Sequence, residues 1–513
     1  MYLVSDMKSI TLRDIRQGYR GLKRIAQKSA KKGDFATAMN YIDYCGTVAS
    51  QFNWIYADDE LEELLDEIAK SKIDASFVGE YEADENHWVF FDDYCTSYVL
   101  ALQWMNALSK TGKTILYVTS QFSFEGRRDI SILPEIEKLP NVIVDVVPGG
   151  NYFERAIYLY RSIVNFRASK VILHKAMNSL VQLPLCVLPK EIAVYNINLG
   201  DQFFWLGVRH IDYNVEFRPF GASVSVQRRG FRKEQLLMVP FYPANENRTF
   251  AGFPAGCEGK LVIFSGGDFY KTFDESGTYW RLVKSILDNH KDIAFLFVTK
   301  NNAKGINVTN TIREFVKSNH FEDRFFCISF RHDIYQVFAH CDIYMGTCPV
   351  SGSLMSQLAA INCKPILQYY PPGTPDDETE QALCISEKFS ISFNNVEAFL
   401  AEADMLISDE TYRKKQGEKI KSSMMQPEKF NELVAETLST NISQMSFELL
   451  RFDYDILDNR WHALEKVGFT DVGSYLYSLL GRVKCFEYAP SLYLKNRLKQ
   501  IGLRLDRMAE KQQ

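Results

Sequence analysis

The chain has 513 residues, which is too long for one compact core and predicts two or three domains. Hydrophobic residues make up 46% of it and charged residues 24%, a balance that excludes a disordered or collagen-like chain. The 59 Lys and Arg residues against 64 Asp and Glu residues give a net charge of −5, so any contact with a nucleic acid or a membrane must be local.

The first 75 residues have the pattern of a small helical region. Residues 8–32 contain nine Lys or Arg and one acidic residue. Apolar side chains recur there at helical spacing, at Leu12, Ile15, Tyr19, Leu22 and Ile25. Thr11 stands where a helix N-cap is expected, and a second helix is predicted over Phe35–Tyr56. Residues 1–75 are therefore predicted to form a helical hairpin that begins with a basic amphipathic helix.

From Trp88 onward, short β-branched and aromatic runs alternate with helical stretches, which is typical of βαβ units around a parallel sheet. The predicted strands are Trp88–Asp92, Thr114–Thr119, Val142–Val147, Lys170–His174, Ile192–Asn196, Val215–Arg218 and Leu236–Phe241. A polar, turn-rich segment over 242–259 then interrupts the pattern and is predicted to be a linker. The first α/β domain is accordingly predicted over residues 76–245.

A second series of the same kind begins at Lys260. Its predicted strands are Leu261–Ser265, Ile293–Thr299, Phe325–Ser329, Ile343–Met345 and Pro365–Tyr369. These place a second α/β domain over residues 259–395, and the pattern of residues 396–513 is helical. The predicted fold class is α/β, with two tandem Rossmann-like domains, an N-terminal helical hairpin and a helical C-terminal tail.

Two loops of the second domain have the composition of a phosphate-binding site. Ligands of open α/β sheets bind beyond the carboxyl ends of the strands. Gly266 and Gly267 follow the first strand of this domain, and without side chains they let a ligand approach the backbone. Ser351, Gly352 and Ser353 open a helix, whose free N–H groups attract an anion. We interpret both loops as a diphosphate cradle; the alternatives are a plain Gly-Gly turn and a helix N-cap at Ser351.

A positive charge is expected beside such phosphates. Lys271, in the stretch DFYKT, and Lys300, at the end of a predicted strand in VTKN, are the candidates for it. The alternative for each of them is an ordinary solvated lysine.

Carboxylates follow two predicted strands of the first domain. Asp201 lies in the turn NLGDQFFWLG beside an aromatic pair, and Asp93 follows the strand VFFD together with Asp92. A carboxylate at such a turn could take the proton of an acceptor hydroxyl, so Asp201 and then Asp93 are the candidate general bases. The alternative in each case is a helix N-cap.

Several kinds of site are excluded by missing patterns. The ten cysteines include no CxxC pair, and His174, His210 and His332 are single, so neither a disulfide framework nor a metal site is predicted. The chain has no GxxxxGK[ST] loop, no protein-kinase signature and no GxSxG elbow, which excludes P-loop NTPases, kinases and α/β-hydrolases. The absence of GxGxxG argues against a dinucleotide oxidoreductase.

The motifs carry a resemblance to one family. The block HDIYQVFAHCDIYMGTCPVSGSLMSQLAAINCKPILQYYPPG (His332–Gly373) resembles the donor-binding half of GT-B glycosyltransferases, and FSGGDFYKT lies where that family has its glycine-rich phosphate loop. The stretch INLGDQFFWLG is similar to HADHxFWLG in the acceptor domain of bacterial polysaccharide glycosyltransferases, with Asn198 and Asp201 in place of the two histidines. The resemblance covers residues 88–440.

The resemblance implies a function. It implies a cleft between the domains, with a nucleoside-diphosphate sugar held by the second domain and a glycan, lipid-linked or protein acceptor held by the first. It further implies a metal-independent transferase with no cofactor besides the donor, acting in bacterial surface polysaccharide synthesis and not on nucleic acid. Two alternatives stay open: a nucleotide-sugar 2-epimerase, and a catalytically silent subunit that stabilises a partner transferase.

The sequences of the two termini bear on where in the cell the protein is located. No run of about 18 apolar residues occurs, so we expect a cytoplasmic protein. Residues 482–511 carry eight Lys or Arg against three acids, and their apolar residues Leu494, Leu498, Ile501, Leu505 and Met508 follow helical spacing. Basic helices at both ends could bind the anionic inner face of a membrane. The alternative is that their apolar stripes pack within the protein.

Overall fold

The structure, a computed structural model, describes most of the chain. The described residues are 11–52, 54–95, 99–120, 131–242, 249–274, 276–299, 308–329, 331, 333–372, 378–383, 391–451, 453–454 and 472–510. The predicted site residue Lys300 and part of the predicted linker lie outside them.

Three helices form the N-terminal region: α1 (Leu12–Lys31), α2 (Phe35–Phe52) and α3 (Asp59–Lys72). The Thr11 side chain accepts a hydrogen bond from the Asp14 backbone, and the Asp14 side chain accepts one from Thr11, so the predicted N-cap is confirmed as a capping box. Of the predicted apolar residues of α1, Ile15, Tyr19, Leu22 and Ile25 are buried and Leu12 is half-buried. The first helix therefore packs on its apolar side and leaves its basic side to solvent.

The first α/β domain is built on a seven-stranded parallel sheet. Its strands are β1 (Asp84–Asp92), β2 (Thr114–Ser120), β3 (Val142–Val147), β4 (Ala168–His174), β5 (Ala193–Ile197), β6 (Tyr213–Glu216) and β7 (Leu236–Met238). All seven predicted strands are present, in the order β3-β2-β1-β4-β5-β6-β7. The order places β4 beside β1, and the register sets His174 opposite Asp92. The last residues of the two central strands are thus neighbours.

Helices cover both faces of this sheet. They are α4 (Val99–Ser109), α5 (Leu133–Ile136), α6 (Tyr152–Asn165), α7 (Gln182–Leu185) and α8 (Pro219–Arg229). Successive residues of a strand point to opposite faces. Val89 and Phe91 accordingly pack in one core with the N-terminal helices, whereas Trp88 and Phe90 pack in another with α4.

The second α/β domain is also a parallel sheet. Its strands are β8 (Leu261–Gly266), β9 (Ile293–Thr299), β10 (Phe325–Ser329), β11 (Ile343–Met345), β12 (Ile366–Tyr369) and β13 (Ser392–Phe393), in the order β10-β9-β8-β11-β12-β13. Its helices are α9 (Thr278–Asn289), α10 (Val308–Ser318), α11 (Ile334–His340), α12 (Ser353–Ile361) and α13 (Glu378–Ala382). The five predicted strands are confirmed, and the two-residue β13 was not predicted.

The predicted C-terminal helical region serves three different cores. Its described helices are α14 (Val396–Ser408), α15 (Glu410–Ser422), α16 (Pro427–Thr440), α17 (Val472–Tyr488) and α18 (Pro490–Glu510). Phe399 and Ile420 of α14 and α15 pack on the second sheet. Phe430 of α16 contacts Trp104 of α4 with ring centroids 5.7 Å apart, in the first domain. Leu476 of α17 joins the core of the N-terminal helices. Among the described helices, none is long and apolar enough to cross a membrane.

Candidate functional site

One hydrogen bond joins the carboxyl sides of the two α/β domains. Helix α8 begins directly after β6, and α13 follows β12 in the second domain. The backbone N–H of Phe220, in the first turn of α8, donates a 3.0 Å hydrogen bond to Oε1 of Gln381 in α13. Since both helices follow carboxyl ends of strands, this contact brings the two edges together. Ligands of parallel α/β sheets bind at such edges.

In the second domain, the turn after β8 contains two glycines. Each position favours glycine for a different structural reason. A Cβ on Gly266 would lie 2.7 Å from the carbonyl oxygen of Val298, so this residue permits the close approach of β8 and β9. Gly267 has a φ of +150°, which glycine adopts without strain. The turn therefore exposes backbone where any other residue would place a side chain.

The second loop of this domain ends at an uncapped helix. Gly352 is the N-cap of α12, and as a glycine it has no side chain to accept a hydrogen bond from the first turn. The alternative that Ser351 caps this helix is therefore wrong, while Ser351 and Ser353 are half-buried beside the N-terminus. The first N–H groups of a helix have no partner within it and favour an anion.

Lys271 joins the two loops. Its carbonyl oxygen accepts a 3.3 Å hydrogen bond from the Val350 backbone N–H. A Cβ on Gly267 would lie 3.4 Å from Cδ of Lys271, and a Cβ on Gly352 would lie 3.8 Å from its Nζ. Among the predicted donor residues, the structure thus brings Gly266, Gly267, Lys271 and Gly352 to one place. An ammonium group beside an uncapped helix end is suited to a diphosphate.

The first domain holds a buried Asp–His pair at the opposite edge. Oδ1 of Asp92, at the end of β1, lies 2.8 Å from Nδ1 of His174, at the end of β4. The two side chains are 0% and 1% exposed. Oδ2 of Asp92 accepts a further hydrogen bond of 2.7 Å from the Tyr117 hydroxyl. The pair is therefore held rigidly at the centre of the sheet edge.

The charge of Asp92 is stabilised in spite of its burial. Burial opposes ionisation, but the charge of His174 and hydrogen bonds from His174, Tyr117 and the Tyr94 backbone outweigh it, so the pKa of Asp92 is lowered. A carboxylate at Nδ1 places the ring proton there. Nε2 of His174 is buried, and no described residue forms a hydrogen bond to it. In a neutral ring with its proton on Nδ1, Nε2 carries the lone pair and can accept a proton, whereas in the charged ring both nitrogens are donors.

Asp93, the second predicted base, lies next to this pair. Its Oδ2 accepts a 2.9 Å hydrogen bond from the backbone N–H of Ala176, and burial raises its pKa to about 6. Burial also lowers the pKa of Lys175 to about 8, and Nζ of Lys175 donates to the Leu206 carbonyl at 2.9 Å. Asp93 therefore changes charge close to neutral pH, and its assignment as a base stays a prediction.

Asp201, the first predicted base, is held in a buried ion pair. Nε of Arg218 lies 2.6 Å from its Oδ2, and Nη2 of Arg218 lies 3.2 Å from its Oδ1. Nη2 of Arg229 also donates to the carbonyl oxygens of Gly200, Asp201 and Phe203 at 3.0, 2.9 and 2.7 Å. Both carboxylate oxygens are thus occupied, and this geometry suits a residue that positions Arg218. Its assignment as a base stays a prediction.

A buried glutamate extends this network. Nδ2 of Asn198 donates to both carboxylate oxygens of Glu216 at 3.0 Å, and Oε1 also accepts from Asn214 and Ser225. Burial raises the pKa of Glu216 to about 7, although these hydrogen bonds favour its charged form. The residue aligned with a histidine of the resembled family, Asn198, therefore orients a carboxylate.

One group of side chains has the chemistry of metal ligands. Among the described residues, ligand atoms of Asp66, Cys186 and His210 lie within 4.8 Å of one another. Nε2 of His210 lies 2.6 Å from Oδ1 of Asp66, and Arg209 lies 3.6 Å from its other oxygen. This ion-pair cluster joins α3 to the segment after β5, and no sequence pattern pointed to it.

Comparison with known proteins identifies the fold. No family model matches the sequence, and no curated protein matches it. The structure is similar to that of a mutant O-GlcNAc transferase from Thermobaculum terrenum, with a TM-score of 0.51 and 13% identity over 88% of this chain and 83% of that chain. This similarity confirms the predicted fold, two Rossmann-like domains in the GT-B arrangement with additional helices.

Two further structures are more distant. Anabaena HepE in complex with UDP and glucose matches with a TM-score of 0.47 and 12% identity over 69% of this chain and 99% of that chain. The UDP-GlcNAc 2-epimerase of Neisseria meningitidis bound to UDP-GlcNAc matches with a TM-score of 0.42 and 11% identity over 69% of this chain and 100% of that chain.

Proposed function

We propose that this protein is a glycosyltransferase that moves a sugar from a nucleoside-diphosphate donor to an acceptor hydroxyl. The observation that carries the proposal is the Nε2 atom of His174, to which no described residue forms a hydrogen bond, on a ring held by Asp92 at the carboxyl end of the first sheet. The opposite edge carries the loops around Lys271 and Gly352. A proton acceptor and an anion site on facing domains are the two groups that such a transfer needs.

The transfer is written with each group in a defined role. The acceptor hydroxyl gives its proton to Nε2 of His174, and its oxygen forms a bond to the anomeric carbon as the bond to the diphosphate oxygen breaks. Asp92 stabilises the imidazolium that results. The N–H groups at the start of α12, together with Lys271, stabilise the leaving diphosphate without a metal ion. Attack opposite to the leaving group inverts the anomeric centre.

Access to Nε2 requires a movement. The atom is buried, and the ring of Tyr94 lies edge-on to the imidazole with centroids 5.3 Å apart. We propose that the Tyr94 side chain moves aside when an acceptor enters. Such movements of loops at active sites commonly accompany substrate binding.

The biological setting is part of the proposal. We propose that the acceptor is a growing surface polysaccharide or a lipid-linked glycan of a bacterium. The support is the resemblance of INLGDQFFWLG to the acceptor domain of bacterial polysaccharide glycosyltransferases.

Thermal unfolding with a panel of nucleoside diphosphates tests the donor site. One nucleotide should raise the melting temperature, because a ligand at a hundredfold excess over Kd stabilises the folded state by about 2.7 kcal/mol. The Gly352→Val variant should lose this shift. A panel without any shift would contradict the donor assignment.

Analysis of the sugar nucleotide by NMR then tests the reaction. Transfer predicts that intact donor persists alone and is consumed when glycan acceptors are added. Conversion of the donor to its C2 epimer without an acceptor would identify an epimerase instead. Donor that stays intact with every acceptor, and is consumed only with a purified partner enzyme, would identify a silent subunit.

A further inference from the structure

The last two helices expose an unusual amount of apolar surface. Five of the twelve large hydrophobic side chains that are exposed in the described residues lie there. They are Val483 (79% exposed), Phe486 (61%), Leu494 (57%), Leu498 (39%) and Ile501 (51%). Apolar side chains exposed singly are ordinary, but a cluster of them marks an interaction surface.

The exposed side chains of α18 form a stripe. Leu494, Leu498 and Ile501 are separated by steps of four and three residues, so they share one helix face. The buried residues Leu492 and Asn496 define the opposite face, which packs on the protein. The described members of the predicted apolar stripe are therefore exposed and do not form a packing surface.

The neighbouring helix α1 carries a basic stripe. Arg13, Arg16, Arg20 and Arg24 are exposed and separated by steps of three, four and four residues. Among the described residues, none of these four arginines forms an ion pair or a hydrogen bond with an acidic side chain. Lys28 continues the stripe, 3.8 Å from Glu487. Four unpaired positive charges on one face are notable in a chain of net charge −5.

The two stripes belong to one bundle. Nζ of Lys495 in α18 lies 2.6 Å from Oδ2 of Asp14 in α1, and Nζ of Lys28 donates to the Tyr488 hydroxyl at 2.6 Å. These contacts fix α1 beside the hairpin of α17 and α18. A groove of about 320 Å³ on the basic helix is lined, within the described chain, by Leu12, Arg13, Arg16, Gln17 and Arg20.

We propose that this helical bundle docks on an anionic lipid bilayer. We infer a lipid bilayer as the partner because it matches both the charge and the apolar character of this surface. Arginines bind lipid phosphates and exposed leucines enter the boundary of the acyl chains, whereas a nucleic acid would use the arginines alone. The proposal stands independently of the glycosyltransferase reaction, because it concerns a surface outside the cleft.

Co-sedimentation with vesicles tests the proposal. The full chain should bind vesicles of equal parts phosphatidylglycerol and phosphatidylcholine but not phosphatidylcholine alone, and high salt should weaken this binding by screening. The triple variant Arg13→Gln, Arg16→Gln, Arg20→Gln should bind roughly 100-fold more weakly, since each basic residue near the surface contributes about 1 kcal/mol. The triple variant Leu494→Gln, Leu498→Gln, Ile501→Gln should bind these vesicles at least tenfold more weakly.

Matched controls make the result specific to this surface. Lys414→Gln, Lys415→Gln, Lys421→Gln removes three exposed charges from α15, and Ile143→Gln, Met405→Gln, Ile442→Gln removes three exposed apolar side chains elsewhere. Both control variants should bind vesicles like the unaltered protein. All variants change exposed residues, so melting temperatures should stay equal.

Four outcomes would overturn the proposal. They are no binding to anionic vesicles at low salt, equal losses in the control variants, binding that the arginine variant retains, and binding that the leucine variant retains in full. The last outcome, combined with binding of a short RNA that depends on the arginines, would identify a polyanion site instead. Since sedimentation needs no sugar nucleotide, these outcomes are independent of the proposed reaction.

Discussion

The carboxyl edges of the two sheets are built from different kinds of chemical group. The first domain lines its edge with buried ionisable side chains: Asp92, His174, Asp201, Glu216, Arg218 and Arg229. The second domain lines its edge with Gly266, Gly267 and the uncapped start of α12, beside Lys271. A proton acceptor needs a side chain with an adjusted pKa, whereas an anion is held by backbone N–H groups that never titrate. In the proposed reaction, the first domain would therefore take up the proton and the second would hold the diphosphate.

The largest effect is expected when His174, the proposed proton acceptor of the first domain, is replaced. His174→Gln should lower kcat about 1000-fold, within the usual range for a removed general base, while the affinity for the donor nucleotide stays unchanged. Turnover and nucleotide binding are measured separately. The exposed His340 supplies the control variant His340→Gln, which should retain full activity. Normal turnover of a folded His174→Gln protein would show that the base lies elsewhere.

The ion pair of the first edge should contribute mainly to stability. Asp201→Asn leaves the Arg218 guanidinium buried without its carboxylate, so the free energy of unfolding in urea should fall by about 3 kcal/mol. Asp288→Asn breaks the exposed pair with Lys284 and should cost less than about 1 kcal/mol. A stable Asp201→Asn protein that loses turnover about 100-fold would instead make Asp201 the base.

A larger side chain at Gly352, in the second domain, should weaken the binding of the donor nucleotide. Gly352→Val leaves the backbone unstrained, because the nearest atoms to a Cβ at this position are 3.5 Å away, but its side chain would occupy the proposed site of the diphosphate. The donor nucleotide should bind about 100-fold more weakly, which is about 2.7 kcal/mol, with stability unchanged. Calorimetric titration gives the affinity of this variant and of Gly352→Ala for the nucleotide. The alanine variant should lose much less affinity. Equal affinities in all three proteins would exclude the loop from the donor site.

The stability of the first domain should also depend on pH. Burial raises the pKa of Asp93 to about 6, above its value of 3.8 in the unfolded chain. The folded protein therefore binds this proton more tightly, so the free energy of unfolding should fall as the pH rises from about 4 to about 6. Asp93→Asn should lack this component, which the rise of the pKa from 3.8 to about 6 makes about 3 kcal/mol, in urea titrations at each pH. Identical pH profiles would contradict the raised pKa.

The sequence predicted the fold well because each strand has a local signal. Runs such as Ile293–Thr299 are apolar throughout and bounded by turns, so both α/β domains could be placed. The two-residue β13 has too few residues for a periodic pattern. The destinations of the last helices depend on long-range packing, such as that of Phe430 on Trp104, which no local pattern encodes.

The site was predictable where it is made of consecutive residues. The glycine turn and the loop at Gly352 carry their composition in short stretches, and the structure brings them together. His174 was missed as a partner of Asp92 because the two are 82 positions apart and a single histidine shows no pattern. The available signal was the strand order, since Rossmann-like sheets place their first and fourth strands side by side. Both residues end those strands.

The path of the chain between the domains determines when each can finish folding during synthesis. Met424 packs in the second domain and Met425 in the first, so the chain crosses back between two adjacent residues. The cores of the second domain are drawn from one continuous stretch of sequence, up to Met424. The core that contains Trp104 is complete only once Phe430 has been synthesised. The core of the N-terminal helices is complete only once Leu476 and Leu492 have been synthesised. On the ribosome, the half of the molecule made first is therefore the half completed last.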